Sequence, residues 1–369
     1  MSDLMSTISA RAAALGVPLF VHLDVTYRCN ERCVHCYLDH DDHGEMAFAD
    51  IASLLGQLAD AGTLFLTLSG GEVLLRHDFF DILKLARSLQ FCVRVKTNGV
   101  LIRDREADLM RDLGVHEIQV SIYSHRADVH DAITKVAGSF ERSVEAIARL
   151  KARGLRVVMA NVLMTRNYGD YAGVRALAAG LGVECSTDPT ITPHMNGDRS
   201  LLALGISGTE LRQAFNDPEL VGSDASVCAP PSGGPDADTL DALPCSAGHT
   251  ACYVSPYGDV YPCVQFPLPT GNVRTQPFLD IWRGSPEMAE VRAIRVRDLS
   301  TCPDCAHVGS CSRCPGLAYM EGSMRGPSSL DCAKSFARTG VPSAGMLASA
   351  AATQGAFIPL DRVGRASRP

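Results

Sequence analysis

The stretch Cys29-Asn30-Glu31-Arg32-Cys33-Val34-His35-Cys36 sets three thiols in a C-x3-C-x2-C run. Thiolates at such tight spacing can converge on one soft metal centre. A closed zinc site or a fully held iron–sulfur cluster uses four ligands. Three leave one metal site of a four-iron cluster open to a non-protein ligand. Unrelated core thiols are the bland alternative, but structural cysteines are usually solitary.

A second group of cysteines lies far downstream. It reads Cys245-x6-Cys252-x10-Cys263, then Cys302-x2-Cys305-x5-Cys311-x2-Cys314, and finally Cys332. On spacing alone, two zinc ribbons would use the same eight positions. Gly258, in Tyr257-Gly258-Asp259-Val260-Tyr261-Pro262-Cys263, predicts a turn followed by a short strand. Cys92 and Cys185 fall on predicted strands and read as core, whereas Cys228 stands alone and could serve as a radical-quenching thiol.

The elements that must position these residues follow from periodicity. Strands are predicted at Leu19–Asp24, Leu64–Leu68, Cys92–Lys96, Glu117–Ile122, Arg156–Leu163 and Glu184–Asp188. Amphipathic helices are predicted at Phe48–Ala61, Phe79–Leu89, Arg105–Leu113, Phe140–Arg153 and Tyr171–Leu181. Gly62, Gly114, Gly154 and Gly182 fall where such helices would end. Alternating strands and helices imply an α/β fold with a parallel sheet, and six units are too few for an eight-fold barrel. The predicted organisation is a barrel-like domain over 18–193, a connecting segment over 194–243, a cysteine-rich domain over 244–337 and a flexible tail over 338–369. The connecting segment carries a predicted helix, Thr209–Phe215, and a Pro/Gly-rich stretch from Ala229 to Pro235.

Composition narrows the class. The chain has 369 residues, 46% hydrophobic and 20% charged, enough for a large domain and a smaller one. A net charge of −7 leaves no nucleic-acid footprint. No apolar run is long enough to span a bilayer, and Met1 to Arg11 lacks the apolar core of a secretory signal. A cytoplasmic location is expected. There the 14 cysteines argue for metal clusters rather than disulfides.

The Cys29/Cys33/Cys36 run resembles the signature of the radical S-adenosylmethionine (SAM) enzymes, in which SAM chelates the open iron of a 4Fe–4S cluster. Ser69-Gly70-Gly71-Glu72 resembles that family's GGE motif, which contacts the SAM amino group; Val73 stands where proline is frequent. Lys96-Thr97-Asn98-Gly99 is a turn on its own terms and resembles the T-N-G segment beside the site. The resemblance places His35 near the adenine and Ser121 near the ribose or carboxylate of SAM. Tyr123 replaces an aspartate common in the family. SAM contacts are thus expected from His35, Gly70, Gly71, Glu72, Asn98 and Ser121. Asn161, Thr165 and Asp188 are further cleft candidates, and His116 and His130 read as ordinary surface or core residues.

The downstream cysteines resemble the SPASM pattern attached to radical SAM barrels, with the Cys311 to Cys314 interval one residue short. The resemblance implies a partial (β/α)6 TIM barrel with a small cysteine-rich domain binding iron–sulfur clusters. It implies two auxiliary 4Fe–4S clusters, one on Cys245, Cys252, Cys263 and Cys314, the other on Cys302, Cys305, Cys311 and Cys332. With all eight ligands present, electron transfer or scaffolding suits these clusters better than substrate ligation.

Barrel plus SPASM resembles enzymes that mature peptides and proteins. The leading expectation is crosslinking or oxidation of a ribosomal precursor peptide by a 5′-deoxyadenosyl radical. A small-molecule dehydrogenase, decarboxylase or epimerase is the alternative, and a non-enzymatic zinc or redox scaffold a remote one. Only about 18 residues precede the barrel, too few for a leader-binding winged helix, which weakens the peptide reading or calls for a separate leader-recognition protein. An external donor such as flavodoxin or ferredoxin would supply electrons.

Overall fold

The computed structural model describes residues 2–40, 42–221 and 235–352. Cys228 lies outside the described residues, as does most of the Pro/Gly-rich stretch.

Six strands run parallel in sequence order: β1 (Phe20–Thr26), β2 (Phe65–Gly70), β3 (Cys92–Thr97), β4 (Glu117–Ser121), β5 (Val157–Val162) and β6 (Glu184–Asp188). Helices Phe48–Asp60, Phe79–Ser88, Asp104–Asp112, Ser139–Ala152 and Tyr171–Leu181 alternate with them. Each lies within two residues of the bounds that periodicity predicts. Helices Ser2–Leu15 and Ala127–Thr134 were not foreseen. The first is rich in small residues and the second is short, so neither carries a clear apolar stripe.

Alternation along the strands divides the interior into two faces. Val21, Leu23, Leu66, Leu68, Val93, Val95, Ile118 and Val120 are buried and share one core with Ile51, Leu55, Ile82 and Ile147 of the helices. Burying side chains of this size contributes about 1.5–3 kcal/mol each before chain entropy is counted. The intervening positions, among them Asp24, Arg94, Lys96, Gln119 and Ser121, face the inside of the barrel and are polar.

Three more strands extend the sheet beyond β1. β7 (Ala251–Val254) pairs parallel to β1, with Val21 opposite Cys252 and His22 opposite Tyr253. β8 (Asp259–Tyr261) and β9 (Gly271–Asn272) continue antiparallel, giving the order β6-β5-β4-β3-β2-β1-β7-β8-β9. The turn expected at Gly258 is present, with φ at +89°. The fold is therefore a partial α/β barrel with a mixed sheet and a cysteine-containing C-terminal region.

The compact units divide the chain differently from the boundary expected at 244. Met1–Leu204 and Ser246–Arg292 form one unit, and Gly205–Cys245 with Ala293–Pro369 the other. Pairing of β7 with β1 joins residues more than two hundred positions apart, a contact that cysteine spacing does not encode. The second unit is built from short helices. Gly208–Phe215 begins at Ser207, whose hydroxyl accepts the Glu210 N–H at 3.3 Å. It meets Ser329–Thr339, where the Arg338 guanidinium lies 5.8 Å from the centre of the Phe215 ring. No helix among the described residues is long and apolar enough to cross a membrane.

The turn after β2 crosses directly over the chain leaving β1. Gly71 N–H donates to Thr26 O at 2.8 Å and Glu72 N–H to Arg28 O at 2.9 Å. A Cβ at Gly70 would lie 2.0 Å from Thr26 O, and one at Gly71 2.3 Å from Arg28 O. Gly70 also sits at φ +136°. Gly71→Ala should therefore push the turn off the thiol loop and destabilise the protein by about 1–3 kcal/mol. Urea unfolding of the metal-free protein measures this, and an unchanged midpoint would refute the close crossing.

Candidate active site and cluster-binding cysteines

Because β1 to β6 are parallel, their C-terminal ends open on one side of the sheet. The thiol loop follows β1, Gly70-Gly71 ends β2, Thr97-Asn98 ends β3 and Ser121 ends β4. Cys29, Cys33 and Cys36 line one cavity of about 270 Å³ together with His35, Gly70, Gly71, Asn98 and Ser121. Eight of the nine residues expected at the SAM site thus meet there. The ninth, Glu72, does not line it.

Glu72 is fully buried beneath the cavity wall. Its Oε2 accepts the Asn98 N–H at 2.8 Å, its Oε1 accepts the Leu74 N–H at 3.1 Å, and the Thr97 hydroxyl lies 2.9 Å from both oxygens. Burial raises its pKa while these donors hold it down. The carboxylate thereby fastens the GGE turn to the T-N-G turn. Asn98 completes the link, donating through Nδ2 to Asn30 Oδ1 at 2.8 Å, beside Cys29. The glycine pair serves the backbone crossing above as well as access to the cavity.

The thiol loop is pinned from its other side by Arg32 N–H to Thr134 O and Val34 N–H to Ile133 O, both at 3.0 Å. Burial pushes Cys29 up to about 12 and raises Cys33 and Cys36 as well. Such thiols stay protonated until a metal takes the proton's place. Glu31, which the motif reading did not single out, is buried and pushed up to about 7, chiefly by desolvation. Its Oε2 accepts from Cys33 Sγ at 3.4 Å, while its Oε1 and His35 Nδ1 are buried without a partner. Three soft donors around one cavity, with two orphaned polar atoms beside them, fit a three-thiolate cluster and a polar co-ligand.

Burial lowers His35 to about 4, so its ring is neutral. It meets the ring of Tyr123 edge-on at 4.7 Å. Tyr123 lines the cavity, bonds Ser121 through its hydroxyl and rests on His130, 5.5 Å between ring centres. Asn161 turns away and donates to Ile122 O at 2.7 Å, while Ala160 and Val162 face the cavity instead. Asp188 accepts the Thr190 N–H at 2.8 Å and, like Thr165, is not part of the lining. Lys96, Gln119, Tyr37, Thr190 and Thr192 were missed. For Lys96 and Gln119 the signal was available, since polar residues alternate with Val93, Val95, Ile118 and Val120.

In the second unit, Cys302, Cys305, Cys311 and Cys332 line a cavity of about 260 Å³, with His307, Arg313 and Asp331 around them. Burial raises Cys302 to about 11 and also raises Cys311 and Cys332. Their soft donors and shared cavity fit one four-thiolate cluster. Cys314 begins helix Pro315–Met320 and donates its N–H to Asp331 Oδ2 at 2.8 Å. Cys245 belongs to the same unit, whereas Cys252, buried on β7, and Cys263, just after β8, belong to the first. No described cysteine forms a disulfide. Cys92 and Cys185 sit on β3 and β6, half-buried.

His130 supports the aromatic wall. It is buried, accepts the Tyr123 N–H at 3.2 Å on Nδ1, and is lowered to about 4, chiefly by desolvation. An unfolded chain would protonate this ring below about pH 6.5 while the folded one would not, so stability falls as pH drops from 6.5 to 4. The loss should reach about 3 kcal/mol from this ring, and His35 adds to it with the same sign. Urea midpoints across that window should fall less steeply for His130→Gln than for the parent. Equal slopes would show that His130 is not held neutral.

Comparison with known proteins agrees with this geometry. Residues 23–174 match the radical SAM superfamily, and residues 245–315 match the iron–sulfur cluster-binding SPASM domain. The AdoMet-dependent heme synthase of Methanosarcina barkeri is 27% identical over 334 residues, covering 83% of this chain and 94% of its own length. The mycofactocin maturase MftC of Mycobacterium tuberculosis is 27% identical over 310 residues, covering 80% of this chain and 78% of its own. Among solved structures, Streptococcus suis SuiB bound to the precursor peptide SuiA superposes with a TM-score of 0.71 at 17% identity, covering 86% of this chain and 76% of that one. AdoMet-bound anSMEcpe gives 0.64 at 14%, covering 86% and 96%. With its thiol triplet at the mouth of a partial barrel and its downstream cysteine pattern, the chain belongs to the radical SAM enzymes that carry a SPASM domain.

Proposed function

We propose that the enzyme modifies a ribosomally made precursor peptide, forming a crosslink or an oxidised residue. Cys29, Cys33 and Cys36 would hold the cluster, which together with bound SAM would supply a 5′-deoxyadenosyl radical for hydrogen abstraction. The chain's own residues orient and shield. Glu72 and Asn98 hold the thiol loop, His35 and Tyr123 supply an aromatic wall for the adenine, and Gly70 and Gly71 bring backbone to the cavity edge.

The observation that carries the peptide reading is a small cavity beside an open sheet edge. At about 270 Å³ the cavity lies at the small end for a ligand pocket. β6 ends the sheet, and Thr190 and Thr192, just beyond it, line the cavity. An extended chain laid along that edge would lead into the site. SuiB, solved with a bound precursor peptide, supports the same reading. The heme synthases support the small-molecule alternative.

Fully ligated auxiliary clusters on Cys245, Cys252, Cys263 and Cys314, and on Cys302, Cys305, Cys311 and Cys332, suit electron transfer away from an oxidised substrate. A flavodoxin or ferredoxin would act as donor, a separate protein would recognise the leader, and the setting would be cytoplasmic, without nucleic-acid or membrane partners.

Anaerobically reconstituted protein should hold about 12 Fe, and the Cys29/Cys33/Cys36→Ala triple variant about 8. Stoichiometric zinc in place of iron would refute the cluster assignment. Dithionite-reduced enzyme should release 5′-deoxyadenosine from SAM, which chromatography detects. The triple variant should release none. Cys332→Ala should still release it while losing the oxidised product, and product at the parental rate would make that cluster structural. Incubation with a short peptide encoded beside this gene should shift the peptide's mass by the loss of hydrogen. An unchanged peptide under conditions of active SAM cleavage would move the small-molecule reading ahead.

A further inference from the structure

Most charged groups inside the barrel have partners among the described residues. Asp24 is fully buried, with Oδ1 3.0 Å from His22 Nε2 and Oδ2 accepting from the Tyr253 hydroxyl at 2.8 Å. Arg94 on β3 faces Glu117 on β4 at 3.7 Å. Glu31 is bonded to Cys33, and His35 is neutral. Lys96 follows Arg94 on the same inner face of β3 and lines the cavity beside the three thiols. Its ammonium has no ion pair or hydrogen bond among the described residues, and the side chain remains accessible from the cavity.

The groups around this lysine pull in opposite directions and none of them bonds it. Burial and the neighbouring Arg94 lower its pKa, while Asp24, Cys263 and Asp188 act on it in the opposite sense. Both carboxylates already have partners of their own, as does the carboxylate nearest to Arg94. The side chain is exposed to the cavity, so its ammonium is free to meet an incoming anion. Three donors on a flexible stem that reaches into a reaction cavity are suited to an incoming anion. The strand rises about 3.3 Å per residue, so the backbone of Lys96 lies deeper than that of Asn98, which touches the thiol loop.

We propose that Lys96 anchors a carboxylate of the substrate, so that the enzyme selects a substrate that is acidic next to the carbon attacked by the radical. The inference deepens the proposed function and rests on its radical SAM reading, but not on the substrate being a peptide. A side-chain carboxylate and a chain-terminal one share the required chemistry.

The test uses anaerobically reconstituted, SAM-loaded holoenzyme and saturation-transfer NMR with two probe pairs. N-acetylglutamate N-methylamide is compared with its glutamine counterpart, and N-acetylalanine with its amide. In the parent, at least one carboxylate should bind about tenfold more tightly than its neutral partner, as expected for one charge-assisted hydrogen bond. The pair that discriminates identifies a side-chain or a terminal carboxylate. Lys96→Met should abolish the preference and Lys96→Arg should retain it, with iron content confirming that both variants fold and load. No preference in the parent, or an undiminished preference in Lys96→Met, overturns the proposal. So does weakened SAM binding in Lys96→Met with the preference intact, which would put the ammonium on SAM. A modified peptide formed at the parental rate by Lys96→Met would remove this inference and leave the peptide reading standing.

Discussion

Everything at the mouth of the barrel hangs on the meeting of three strand ends, and the Glu72 carboxylate is the joint. Its two oxygens accept from the turn after β3 and from the helical turn that follows Glu72 itself, while its backbone N–H holds the exit of β1. A buried carboxylate is tolerable only when so fully bonded, and removing any donor would leave it unsatisfied in a low-dielectric site. Gly70 and Gly71 make the joint possible, because any side chain there would collide with the Thr26 and Arg28 carbonyls. The thiol loop has no regular secondary structure of its own. Its shape is borrowed from this joint on one side and from the Ile133–Thr134 backbone on the other.

Much of this was legible in the sequence. Parallel strands with helices between them left their mark as alternating periods, because each helix stripe and strand face shares one apolar core. Positive-φ glycines at 62, 114, 154 and 182 ended the helices as anticipated. The thiol triplet, its glycine turn and Asn98 meet because each follows a strand of the same parallel set. What escaped is long-range. The pairing of β7 with β1 places Ser246–Arg292 with the barrel, although the cysteine pattern groups that stretch with the residues downstream. Glu72 reads as a ligand contact because motif position does not reveal which way a carboxylate turns. Lys96 was legible but overlooked: it was read with the turn that follows, although its alternation with Val93 and Val95 on β3 already sets it on the cavity side.

The metal-free site is electrically quiet. Desolvation keeps the Cys29, Cys33 and Cys36 thiols protonated, His35 neutral and Glu31 partly protonated near neutral pH. Loading a cluster must therefore expel protons, so assembly becomes more favourable as pH rises, whereas a preformed thiolate cage would load with little dependence on pH. The His35 ring, neutral and set edge-on against Tyr123, offers an uncharged surface that a purine can share without a desolvation cost of its own.

The second unit obeys the same logic with less apolar material. Its helices are short, and Cys302, Cys305, Cys311 and Cys332 surround a cavity where a small domain would ordinarily place core side chains. Arg313 is buried beside them, donating to Gly326 O and Met324 O, while one of its nitrogens has no partner. A guanidinium in that position makes sense only beside negative charge, which four thiolates around iron and sulfide would bring. The thiols, the arginine and the hollow between them are each unfavourable alone. Together they describe a domain whose core a cluster held by these four sulfur atoms would complete.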